Sequence, residues 1–69
     1  MEIRVYHARE RKGVSTRTLA KKTGISIGTI NNIENEKTSP TMHNMEKIAK
    51  ALDVYIEDLY ESDYKYPTE

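Results

Sequence analysis

Two short helices that meet across a very tight turn, between Thr18 and Lys37, constrain this chain more than any other feature. Leu19 and Ala20 supply apolar contacts for the first helix, which stops at Gly24; the second begins after Ser26 and repeats isoleucine at Ile30 and Ile33. Gly24 can close the first helix with a positive φ. Ser26, only two residues later, can cap the second by accepting a bond from a free N–H of its first turn. So short a connection sets the angle between the helices, and the other segments must pack around a preset pair.

At 69 residues, 36% of them hydrophobic, the chain has room for one small domain, which buries roughly 60% of the surface its unfolded form exposes. It contains no cysteine, tryptophan or phenylalanine, so helix packing must do what disulfides or a thiolate metal site would do elsewhere. This composition fits a reducing cytoplasm. No apolar run approaches the roughly 20 residues needed to cross a bilayer. Met1 leads into charged Glu2 and Arg4, so we expect neither a signal peptide nor a membrane anchor.

The 11 basic and 11 acidic residues cancel, which argues against a nucleic-acid partner until their order is read. Residues 1–24 hold seven cations (Arg4, Arg9, Arg11, Lys12, Arg17, Lys21 and Lys22) against Glu2 and Glu10, a balance of +5, and the rest sums to −5. Separation of this kind allows a basic face toward an anionic partner and an acidic face away from it.

A first helix carries Val5 and Ala8, with Ile3 and Tyr6 nearby, and ends near Gly13. Ser15 caps the second, which runs through Lys22. After Lys37 the run Thr38, Ser39, Pro40 breaks the chain, and Thr41 caps a fourth helix whose stripe of Met42, Met45, Ile48, Ala49 and Leu52 reads as a core face. A fifth, short amphipathic unit follows at Ile56, Leu59 and Tyr60. The expected organisation is one all-α domain over residues 1–61 and a short tail over 62–69, with Tyr64, Tyr66 and Pro67 among charges and no apolar stripe. No internal repeat or strand-like alternation is visible.

At about 100° per residue, Ile30 and Ile33 of the third helix point toward the core. Gly28, Asn31, Asn32 and Asn35 face away, with Ile27 on the flank. A solvent-facing helix favours glutamate, lysine or alanine, and each asparagine or glycine costs a few tenths to about 1 kcal/mol relative to alanine. Something other than helix stability selected this face. Asparagine can pair with adenine N6 and N7 in the major groove, glycine permits close backbone approach, and isoleucine can meet a thymine methyl.

From about Val5 to Tyr60 the chain resembles the lambda-repressor/Cro-like, or XRE-type, helix-turn-helix family. The likeness is carried by Gly13, Val14 and Ser15; by Leu19, Ala20, Gly24, Ile25 and Ser26 at the turn; by Ile30, Ile33, Glu34, Asn35 and Lys37; and by Pro40, Met42, Ile48, Ala49 and Leu52. It implies a compact five-helix domain whose helices 2 and 3 form the helix-turn-helix. The third helix would enter the major groove of double-stranded DNA, often as a homodimer on two related half-sites. By the same resemblance Thr16 and Arg17, together with Asn35, Lys37 and Thr38, would hold phosphates. Ile27, Gly28 and Asn32 would face bases, with Asn31 on the same outward surface. An ion pair of Arg9 with Glu34 would join helix 1 to the end of helix 3.

Four positions depart from the family pattern. Glu36 stands where glycine is common, which makes Asn35 the expected left-handed residue and sets a negative charge beside a phosphate-facing loop. Gly28 replaces a long polar side chain. Asp53, where glycine or asparagine is common, can still adopt a left-handed turn. Thr23 replaces a frequent leucine and is expected to thin the core slightly.

No other constellation carries chemistry. His7 and His43 lie on different helices without metal-ligand spacing. Ser15, Ser26 and Ser39 flank helix starts and lack a base and an orienting group, and Glu57 and Asp58 suit a helix start. We expect no metal, no cofactor and no catalysis. The expected function is a small transcriptional regulator, a repressor, controlled by its own concentration, a regulatory protein partner or proteolysis. Without arginine on the third helix it should favour A·T-containing half-sites. The alternative is a protein-interaction module or adaptor that binds a partner through Ile56, Leu59, Tyr60 and the acidic, tyrosine-bearing tail.

Overall fold

The computed structural model describes residues 1–64; the tail positions Tyr66 and Pro67 lie outside the described residues. Four α-helices, α1 (Val5–Arg11), α2 (Thr16–Thr23), α3 (Ile27–Glu34) and α4 (Met42–Leu52), are followed by a 3₁₀ turn at Ile56–Leu59. Two short strands, β1 (Glu2–Ile3) and β2 (Tyr60–Glu61), bracket the helices and pair antiparallel, Glu2 opposite Glu61 and Ile3 opposite Tyr60.

Each helix start after the first has a side-chain cap. Ser15 Oγ accepts from the Thr18 N–H at 3.1 Å, Ser26 Oγ from Thr29 at 3.1 Å, and Thr41 Oγ1 from Asn44 at 3.0 Å. Three helices stop in one way, by a left-handed residue whose N–H and the next N–H bond back to carbonyls that the helix leaves free. In α1 that residue is Gly13 (φ 67) and in α4 Asp53 (φ 57). In α3 it is Glu36 (φ 57), while Asn35, expected to take this role, has φ −91. The reason is register. Glu36 N–H reaches Ile33 O at 3.1 Å and Lys37 N–H reaches Asn32 O at 2.9 Å, which puts the reversal one residue beyond Asn35.

The expected fifth helix is the single 3₁₀ turn. Asp53 has already reversed the chain, Asp58 accepts the Tyr55 N–H at 3.0 Å, and Tyr60 is extended at φ −155. The Leu59 carbonyl takes the Arg4 N–H at 2.8 Å, a bond that a continuing helix would withdraw from the residue after β1. Strand pairing therefore captures the chain at Tyr60, and Ile3 belongs to β1 instead of the first helix. Strands of two residues are too short to show alternation in the sequence.

Leu19, Ile30, Ile33, Ile48, Leu59 and Val5 are fully buried, so every helix and the 3₁₀ turn contribute to one core. Each such side chain stabilises by about 1.5–3 kcal/mol. Met42 departs from the stripe expected on α4: it is 65% exposed, because as the first residue of the helix it overhangs the core instead of entering it. Leu59 lies inside, with Ile56 and Tyr60 packed against the core, so the apolar residues of the adaptor reading are used within the fold.

Candidate nucleic-acid interface

The turn between α2 and α3 is held by side-chain and backbone bonds together. Gly24, at φ 76, sends its N–H to Ala20 O at 2.8 Å. Thr23 Oγ1 donates to Leu19 O at 2.8 Å and accepts the Ile25 N–H at 3.1 Å. A residue expected to thin the core thus satisfies a donor that the reversal would leave free. Ile25 is buried, and Ser26 then caps α3. The start of α3 is therefore fixed against α2.

The outer face of α3 is exposed. Gly28, Asn31, Asn32 and Asn35 are open to solvent, Ile27 is 40% exposed, and no side-chain hydrogen bond occupies the three amides among the described residues. Residues three and four apart on a helix are neighbours, so these positions form one continuous surface. Gly28 has no role in the fold. Its φ lies outside the positive range, and a Cβ built there meets nothing within 4 Å.

The two expected phosphate-holding groups come from separate turns. Thr16, half-buried, and exposed Arg17 lie on the first turn of α2; Asn35, Lys37 and Thr38 are exposed where α3 reverses. No hydrogen bond joins the two groups among the described residues. In the basic first third of the chain, Glu2 pairs with Arg4 at 3.2 Å and Glu10 with Arg9 at 3.3 Å. Arg11, Lys12, Arg17, Lys21 and Lys22 have no ion pair among the described residues, so its surplus charge is exposed and unneutralised.

Arg9 joins more of the fold's elements than a surface side chain would, with four side-chain hydrogen bonds. Its Nε and Nη2 donate to the two carboxylate oxygens of Glu34 at 2.8 and 3.1 Å, and Nη1 donates to Val14 O at 3.0 Å. The guanidinium also lies 5.2 Å from the Tyr6 ring centroid. The hydrogen bond to Glu34 raises the Arg9 pKa above its already high ordinary value, against the opposing pull of burial. One side chain thereby ties α1, the loop before α2 and the last residue of α3.

The helix-turn-helix family model matches residues 5–59. Among solved structures, the chain is similar to the restriction-modification controller protein C.AhdI from Aeromonas hydrophila, at 30% identity and a TM-score of 0.78, over 83% of this chain and 86% of that one. No curated protein matches. The chain belongs to the XRE-type helix-turn-helix family. Membership marks this helix-turn-helix protein as a DNA-binding transcription regulator. Among the described residues, no helix is long and apolar enough to cross a membrane.

Two features of the surface escaped the sequence reading. Ser15 and Ser26 Oγ each donate to a threonine hydroxyl, Thr18 Oγ1 at 3.1 Å and Thr29 Oγ1 at 2.9 Å. Threonine holds the place where a reciprocal cap usually has glutamate or glutamine, so α2 and α3 start without an acidic residue in the first turn. The S-x-x-T spacing was the available signal. A groove of about 420 Å³ between α2 and α4 is lined by Lys22, Thr23, Lys47, Lys50 and Ala51. Lys47 and Lys50, one helical turn apart, were its only trace in the sequence.

Proposed function

We propose that this helix-turn-helix protein is a sequence-specific, double-stranded DNA-binding repressor of transcription that lays α3 in the major groove as a homodimer on two related half-sites. The observation that carries the reading is the α3 face of Ile27, Gly28, Asn31 and Asn32, uncharged, unbonded and costly to a helix. These residues meet base edges; Thr16, Arg17, Asn35, Lys37 and Thr38 hold phosphates and set register. The first turns of α2 and α3, free of carboxylates, leave the positive ends of the helix dipoles open to phosphate. The likeness to a controller protein supports regulation as the output of binding.

Selection from random duplexes, followed by anisotropy at two salt concentrations, tests the reading. We expect an enriched A·T-containing palindrome whose affinity falls steeply with salt. Absence of enrichment at low salt would sink the proposal. On the enriched duplex, Asn32→Ala should relax preference at one base pair, at a cost of about 1–3 kcal/mol. Lys37→Ala should weaken all sequences alike and lower the salt slope by about one.

A further inference from the structure

We infer that the Glu36 carboxylate is an electrostatic brake on DNA binding, one that lowers affinity for every sequence by the same factor. The inference rests on the DNA-binding reading above and assigns a role to a residue outside its contact set. Glu36 holds φ 57, a left-handed backbone that side chains rarely adopt. The reversal after α3 requires that conformation, and glycine or asparagine meets it with less strain. Nor does the side chain compensate. The Glu36 carboxylate is exposed and makes no hydrogen bond or ion pair among the described residues, although Lys37 follows it directly. The Thr38 and Ser39 hydroxyls, which line a second surface groove together with Glu36, do not bond it either.

Among the described residues, no hydrogen bond or ion pair of the fold accounts for a glutamate at this position, and the charge is what remains to be explained. Within two residues of it along the chain lie Asn35, Lys37 and Thr38, three of the five phosphate-holding positions of the reading above. A carboxylate about 6 Å from a phosphate, with water between, weakens binding by roughly threefold. The phosphate charge is the same on every sequence, so operator and non-operator duplexes meet the same repulsion. Glu36 therefore opposes Lys37 in sign while matching it in indifference to sequence. Its effect is to keep occupancy of random DNA low and to leave discrimination to the α3 face.

The experiment measures binding of the wild-type protein, Glu36→Gln and Glu36→Asn to the selection-enriched duplex and to a scrambled duplex of the same composition, at low and high salt. Gln keeps the side-chain length and Asn suits the left-handed backbone better, and melting curves verify that each variant folds. Both variants should bind both duplexes more tightly at low salt, about threefold for one protomer and about tenfold for a homodimer that carries two carboxylates, with the gain shrinking at high salt as the repulsion is screened. Unchanged affinities, in a wild-type protein that does bind the enriched duplex, would overturn the brake and leave the DNA-binding reading standing. So would a gain confined to the enriched duplex. A wild-type protein that binds neither duplex would overturn both.

Discussion

The two ends of α3 solve the same problem in opposite ways. At the N-terminal end the chain reverses through Gly24, whose left-handed backbone is unstrained, and the Thr23 and Ser26 hydroxyls take up the N–H groups of Ile25 and Thr29. At the C-terminal end it reverses through Glu36, which is strained and carries an unpaired charge, just beyond the tightly held Glu34. The fold therefore fixes where α3 begins and where its last residue sits. The residue that makes the reversal beyond Glu34 is not selected for stability.

The largest expected effect is on the anchor. Arg9→Met leaves the Glu34 carboxylate, whose side chain is only 7% exposed, without its partner. Breaking a buried pair costs about 3–5 kcal/mol, and in a domain of this size each kcal/mol lowers the melting temperature by about 4–8 °C. We expect a fall of more than about 10 °C, with most of it recovered in Arg9→Met/Glu34→Leu. A melting temperature within a few degrees of wild type in Arg9→Met would mean that the C-terminal end of α3 is held by something else.

A reciprocal pair of substitutions tests the contrast itself. Gly24→Ala puts a side chain on a left-handed backbone, at a cost of about 1–2 kcal/mol, although the space around its Cβ is open. Glu36→Gly relieves the same strain and should raise stability by about 1 kcal/mol. Thermal melts should therefore move in opposite directions from the same backbone conformation. Movement in the same direction would break the comparison.

The elements legible in the sequence were those set by local chemistry. Ser15, Ser26 and Thr41 marked three helix starts, Gly13 and Gly24 marked two stops, and Met45, Ile48 and Leu52 marked a buried face. What was not legible depended on partners distant in sequence. The pairing of Ile3 with Tyr60 spans the whole domain, and it decides that the fifth helix ends after one turn. The left-handed residue was misplaced by one position because asparagine is the better local candidate, whereas the return bonds to Asn32 and Ile33 place the reversal at Glu36. On the candidate site, periodicity picked out the outward residues of α3. Only the structure reveals that Gly28 has open space around it and that the amides are unbonded.

Gly28 gives the smallest effect on the fold and the most direct view of what α3 is for. Glycine in a helix costs about 0.8–1 kcal/mol relative to alanine, and nothing in the protein lies within 4 Å of the methyl that alanine would add. Gly28→Ala should therefore raise the melting temperature by several degrees. If the backbone at Gly28 closely approaches a base pair, the same methyl must be accommodated in a packed contact, at about 1–3 kcal/mol. Affinity for the enriched duplex should then fall by about tenfold while the fold becomes more stable. Stability and binding moving in opposite directions would identify the glycine as a concession to the groove. Equal or tighter binding would show that the α3 backbone stays clear of the bases at this residue, and that readout belongs to Ile27, Asn31 and Asn32.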